Sequence, residues 1–400
     1  MAFLFTSGRS ERQTLGIYIH IPFCRSKCEY CDFYSIGGGR DRRLTDNYLQ
    51  ALAEHLRESG KLAPNHLVDT VYFGGGTPSF FGADNLEKIL DEVHRSFHLS
   101  HEAEITLEAN PDSVTGPALK KLIRVGFNRI SIGVQSDDDT MLQRLGRPHT
   151  FHQAKQAMAL ARQAGFGNIS LDLMYGLPNQ SLSAWKDTVM NVANLRPDHL
   201  SCYGLKVEPN TPLWSYQAEA NLPNDDIQAE MYLAACEILR DYGYEHYEIS
   251  NFAKKGFQSR HNLKYWNGGE YLGFGPTAAS DFAGKRFTIV RDLRGYIDGI
   301  TKKGMVLSEC ESIPLRERAG EYVMLRLRTN EGISAEEYER QYLMPFADLE
   351  RLLQRFAENG YAAYVNDRWR LTEAGWLLSN RIIGALQEAQ ERSIPFAKKR

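Results

Sequence analysis

Six short apolar segments, each followed by a stretch of helical periodicity, set the architecture of this chain. They read as strands over 17–21, 70–73, 104–108, 129–135, 168–173 and 199–205. Helices are expected near 45–59, 83–97, 115–125, up to about 164, and 182–194, with Thr45 as the N-cap of the first. Strands that alternate with helices over short connections pair in parallel under covering helices. Right-handed crossovers then curl the sheet into a barrel or part of one. The fold class is therefore α/β.

In parallel α/β sheets, ligands bind at the carboxyl ends of the strands. The first expected strand runs into a loop carrying Cys24, Cys28 and Cys31. The second runs into Gly74-Gly75-Gly76-Thr77-Pro78, the third ends at Glu108 and the fourth at Gln135. Asp172 lies near the end of the fifth, within the apolar run Ile169–Leu173. A carboxylate there costs several kcal/mol unless it is paired. Five such positions in register mark one end of the sheet as a binding site. The glycine run lacks a following Gly-Lys-Ser/Thr, which weakens a nucleotide-triphosphate reading. Its bare backbone is suited to close approach by a ligand.

The three cysteines follow Pro22 as C-x3-C-x2-C. Two cysteines would suggest a redox pair, and four a zinc site or a fully ligated cluster. Three thiolates this close can hold three irons of a 4Fe–4S cubane and leave the fourth open to a small molecule. Three unrelated buried thiols, or a zinc site completed by His20, are the alternatives.

With Tyr30 just before its last cysteine, the motif resembles the radical S-adenosylmethionine (SAM) signature. Tyr18-x-His20-Ile21-Pro22-Phe23-Cys24 resembles the branch containing oxygen-independent coproporphyrinogen III dehydrogenase and the HemW-type haem chaperones. The resemblance implies an open six-unit (β/α) partial TIM barrel with a C-terminal, helical, winged-helix-like domain. It implies a 4Fe–4S cluster on Cys24, Cys28 and Cys31, with the methionyl nitrogen and carboxylate of SAM on the open iron. One electron from the cluster then breaks the sulfonium C–S bond and leaves a 5′-deoxyadenosyl radical. By the same resemblance Gly75, Gly76 and Thr77 hold the methionyl amino group. Glu108, Gln135 and Asp172 contact SAM, and Arg147 takes its carboxylate with a planar fork. Tyr18 and Tyr30 line the adenosyl pocket, or serve as core aromatics.

A second segment, His261-Asn262-Leu263-Lys264-Tyr265-Trp266, resembles the H-N-x-x-Y-W element of HemW-type chaperones, where it is associated with haem. Histidine is a common axial ligand and flat aromatics suit a porphyrin face, so His261 is a candidate haem contact. Many relatives carry Gly-Ala-His-Ser where this chain has Thr277-Ala278-Ala279-Ser280, so a histidine is missing at Ala279. The dehydrogenase carries a further cysteine in C-x2-C-x-C; here Cys31 is followed by Asp32-Phe33. The resemblance is therefore nearest to the chaperones. It implies a protein that cleaves SAM without being a true coproporphyrinogen III dehydrogenase. The dehydrogenase, or another radical-SAM enzyme acting on a tetrapyrrole, is the alternative.

The expected division is a disordered leader over 1–15, the barrel over 16–245 and a haem-associated connecting segment over 246–310. A winged-helix-like domain over 311–390 and a tail over 391–400 complete it. The C-terminal pattern is three helices, a hairpin around Asn366-Asp367, and a last helix over 373–388 capped by Thr372. A net charge of −3 gives no electrostatic reason to expect a nucleic-acid partner. No stretch approaches ~18 consecutive apolar residues. Clustered and scattered cysteines fit a reducing cytoplasm. The resemblance adds haem, a haem-accepting respiratory protein, and an electron donor such as flavodoxin or ferredoxin. Any membrane association would be peripheral and through a partner.

Overall fold

A computed structural model describes residues 13–38, 41–217 and 219–394. Most of the expected leader and the end of the tail lie outside these residues. The leader boundary at 15 does not hold in full, because the first strand already begins at Thr14.

The core is six parallel strands in sequence order: β1 (Thr14–Ile21), β2 (Leu67–Gly75), β3 (Leu99–Ala109), β4 (Arg129–Gln135), β5 (Asn168–Tyr175) and β6 (His199–Gly204). Helices between them cover the outer face. Their caps follow local chemistry: Thr115, Ser181 and Asn224 each accept a backbone N–H in the first turn of the helix that follows. The first helix starts earlier than the sequence suggests, over Arg42–Gly60, because Asp41 accepts from the Leu44 amide and supplies the cap. Thr45 lies within it.

Strand alternation sorts side chains between two environments. On β1, Ile17, Ile19 and Ile21 are fully buried against the helices. Tyr18 and His20 point to the concave side. On β4, Ile130, Ile132 and Val134 pack outward in the same way, and Arg129, Ser131, Gly133 and Gln135 line the interior. The result is a sheet with an apolar outer face and a polar inner one.

The segment expected to connect the domains extends this sheet at both edges. β7 (Glu245–Glu248) and β8 (Asn251–Ala253) form a hairpin that adds to β6. β9 (Tyr271–Phe274) pairs in parallel with β1, and β10 (Ala279–Phe282), β11 (Lys285–Ile289) and β12 (Leu307–Ser312) continue as an antiparallel meander. Twelve strands thus form one continuous sheet.

The C-terminal region carries helices over Leu315–Arg326, Ala335–Tyr342 and Ala347–Glu358, then the hairpin β13 (Ala362–Val365) and β14 (Arg368–Leu371). Asn366 and Asp367 both adopt positive φ, 54° and 59°, as a two-residue hairpin turn requires. The expected last helix is broken at Leu378 into Glu373–Leu377 and Ser379–Arg392. Trp376 fixes the break: it is buried and its indole N–H donates to the Leu327 carbonyl. Asp281 on β10 accepts from both Arg286 and Arg318, and Arg286 also pairs with Glu321, joining the meander to this region.

Replacing the true cap should be felt and replacing the apparent one should not. Asp41→Ala is expected to cost about 1 kcal/mol in urea unfolding, and Thr45→Ala less than about 0.5 kcal/mol. Equal effects would place the helix start elsewhere.

Candidate functional site

Pro22 ends β1 and the cysteine loop turns over the carboxyl end of the sheet. The loop is pinned by its backbone: Cys24 N–H donates to Ile36 O at 3.0 Å and Ile36 N–H to Pro22 O at 2.8 Å. Glu29 N–H donates to Leu145 O, and Leu213 N–H donates to Glu29 O. Cys24, Cys28 and Cys31 are free thiols that line one cavity of about 340 Å³. Burial raises the Cys24 thiol above its usual value and pushes Cys31 up to about 11. Such thiols lose their protons readily only when a cation binds beside them and stabilises the thiolate. Thr77 Oγ1 donates to Cys24 Sγ at 3.4 Å, and Arg147 Nη1 to Cys28 Sγ at 3.6 Å.

The glycine run passes directly beneath the thiols. Gly75 sits at φ 106°, and a Cβ there would meet His20 Nδ1 at 2.5 Å. A Cβ on Gly76 would lie 2.8 Å from Ile21 O and 3.0 Å from Cys24 Sγ. Bare backbone is therefore required where the second strand meets the cysteine loop. Three thiols on one cavity, a backbone cradle and an adjacent guanidinium suit a thiolate-held, negatively charged cluster with one open position. His20 does not complete a zinc site: its ring nitrogens face Tyr18 Oη at 3.2 Å and the Tyr34 carbonyl at 2.8 Å.

Tyr30, Glu108, Gln135, Arg147 and Asp172 converge on this cavity from different strands and loops. Glu108 accepts from Tyr72 Oη at 2.8 Å and from Gly75 N–H at 3.1 Å. Burial nevertheless pushes its carboxyl up to about 7. Asp172 accepts from Ser131 Oγ and Ser170 Oγ, and burial raises it also. Gln135 is held at φ 69°, which turns the chain out of β4 toward the cavity. Arg147 Nη2 donates to Gly133 O at 2.6 Å and Asn110 Oδ1 at 2.9 Å, which fixes its fork beside the thiols.

Two further expected site residues pack against Tyr72, which lines the cavity. Tyr18 stacks on Tyr72, and its hydroxyl meets His20 Nδ1. His261 is 1 % exposed, and both ring nitrogens are engaged, with Thr70 Oγ1 at 2.9 Å and Tyr265 Oη at 2.7 Å. Its ring stacks on Tyr72 with centroids 5.1 Å apart, and burial lowers its pKa to about 3. In this structure it is a satisfied core histidine. What its helix, Arg260–Trp266, brings to the cavity is the next residue, Asn262. Sequence reasoning also passed over Arg129, Ser131, Ser201 and Tyr203, all on the cavity wall. Their alternation with apolar residues on β4 and β6 was the available signal.

A three-thiol loop over the carboxyl end of a six-unit parallel sheet defines a radical SAM protein, and residues 18–191 match the Radical SAM superfamily. Residues 313–378 match the HemN C-terminal domain. Heme chaperone HemW of Bacillus subtilis (strain 168) is 36% identical over 374 residues, spanning 92% of this chain and 98% of that protein. Heme chaperone HemW of Escherichia coli (strain K12) is also 36% identical, over 92% and 97%. The mouse protein named Radical S-adenosyl methionine domain-containing protein 1, mitochondrial, is 35% identical over 84% and 77%. The chain belongs to the HemW family. Its fold is that of the coproporphyrinogen III oxidase HemN from Escherichia coli, with a TM-score of 0.82 at 24% identity over 94% and 90% of the two chains.

Glu108 makes the stability of the cofactor-free protein depend on pH. Its carboxyl titrates near 7 in the folded chain against 4.5 ordinarily, so between these values the folded state holds more protons than the unfolded one. Its contribution to stability therefore falls as pH rises through that window and levels off above it. Glu108→Gln should remove this component, so the loss of stability between pH 5 and 8 in urea unfolding is smaller than in the parent. Identical pH profiles would mean that Glu108 ionises normally in the folded protein.

Proposed function

We propose that this chain is a SAM- and cluster-dependent haem chaperone, which binds haem and delivers it to a respiratory acceptor protein. The near full-length similarity to chaperones of that name carries the reading. Asp32-Phe33 in place of a further cysteine favours it over the dehydrogenase.

Cys24, Cys28 and Cys31 would hold a 4Fe–4S cluster. When reduced by a donor of the flavodoxin or ferredoxin type, that cluster supplies the electron for SAM cleavage. The chain's own residues bind and orient. The Gly75–Thr77 backbone and Glu108 would hold the methionyl ammonium, and Arg147 the carboxylate. Tyr30, Gln135 and Asp172 would contact the rest of the molecule. The enclosing walls limit water at the thiols. Haem binding itself draws no support from His261. Among the described residues no helix is long and apolar enough to cross a membrane. Free thiols at every described cysteine fit a cytoplasmic setting.

Cys24→Ala, Cys28→Ala or Cys31→Ala is expected to abolish a stable cubane and SAM cleavage. Iron analysis and electron paramagnetic resonance check this, and a normal cluster in any variant would overturn the ligand set. Cluster-reconstituted protein should next be given SAM, a reductant and coproporphyrinogen III without oxygen, and followed by mass spectrometry. Deoxyadenosine without porphyrinogen decarboxylation is the expected result, with haem passing from loaded protein to an apo-acceptor in a parallel assay. Catalytic decarboxylation would replace the chaperone reading with the dehydrogenase one.

A further inference from the structure

Deep in the same cavity lies a charged side chain with no hydrogen-bond or ion-pair partner among the described residues. Arg129 opens β4, is 2 % exposed and lines the cavity wall. Among the described residues no carboxylate lies within ion-pair distance of it, and no hydrogen bond is made by its guanidinium. Its Nε is enclosed and unsatisfied, as is the hydroxyl of Thr106, its neighbour across the ladder. A buried guanidinium presents five donors and carries a fixed charge, so an empty coordination shell is costly.

Glu104 and Asp172 act on Arg129 through their charge alone, because the hydrogen bonds of each surrounding acid are made elsewhere. Glu104 accepts the backbone N–H groups of Arg260 and His261, both at 3.0 Å, and so anchors the start of the helix that presents Asn262. Glu108 is held by Tyr72 and Gly75, and Asp172 by Ser131 and Ser170. The nearby ring of acids disfavours a dianion, whereas a single carboxylate suits both the charge and the planar fork.

We propose that Arg129 is the anchor of a second carboxylate subsite, separate from the SAM site. It would receive an alkyl carboxylate arm of the molecule brought to the cluster. Thr106 lies beside it on the neighbouring strand, and Asn262 lines the same cavity. The proposal rests on the SAM reading only in assigning the SAM carboxylate to Arg147.

The test uses full-length, cluster-reconstituted protein without oxygen, with ¹³C-labelled propionate and its neutral isostere propionamide as probes, followed by NMR titration. With saturating SAM present, the parent should bind propionate at least about tenfold more tightly than propionamide, the scale of a charge-assisted hydrogen bond. Arg129→Gln should lose that discrimination and Arg129→Lys should keep part of it. Circular dichroism establishes that each variant is folded. The comparison of the two probes on the parent stands even if both variants unfold. Equal affinity for the two probes in the parent would overturn the proposal, as would full discrimination in Arg129→Gln. Displacement of propionate by SAM would overturn it too, by making SAM the occupant. Probe discrimination with no SAM cleavage would leave the subsite standing and remove the proposed function. SAM cleavage without discrimination would do the reverse.

Discussion

Desolvation of ionisable groups inside the curved sheet is the constraint on which the rest of the molecule depends. Glu104, Glu108, Arg129 and Asp172 occupy its concave side, where isolated charge is expensive. Each acid is given donors from a neighbouring element: a helix start, a glycine-strand amide and a tyrosine, two serines. These bonds fix the distances between strands as well as the charges. They also explain why the cavity keeps its shape, since no acid can move without leaving a buried donor unmatched.

The same economy explains the aromatic layer below the cavity. Tyr18, Tyr72, His261 and Tyr265 form a stacked and hydrogen-bonded floor. Thr70 and Glu104 secure it from the next strands. The H-N-x-x-Y-W element is therefore an internal support that seats one helix against the sheet and aims Asn262 upward. The outer meander then closes over β1 through β9.

The parallel core and the cysteine loop were legible because both follow short-range rules. Isoleucines at every second position announce β1, and three thiols at fixed spacing announce a metal-cluster loop. Glu108, Gln135 and Asp172 were expected together because strand ends carry ligands in this fold class, and all three line one cavity. Arg129 escaped because a cation at the start of a strand reads as a solvated terminus. Only the stagger between strands, which places Arg129 level with Thr106 in mid-β3, puts it inside. The packing of His261 was not legible for a related reason: the ring that stacks on it is Tyr72, far away along the chain. The β9 to β12 extension was missed because its short strands lack the long apolar runs of the core.

The pairing of β1 with β9 has a consequence for biosynthesis. Gly16–Ile19 bond in parallel to Tyr271–Phe274, so the strand that delivers the three cysteines gains its second neighbour only from a segment made much later. During translation the amino-terminal strand remains an open edge while the intervening units fold beside it. Contacts so distant along the chain form slowly. The strand that leads into the cysteine loop is thereby enclosed on both sides only after most of the polypeptide has left the ribosome.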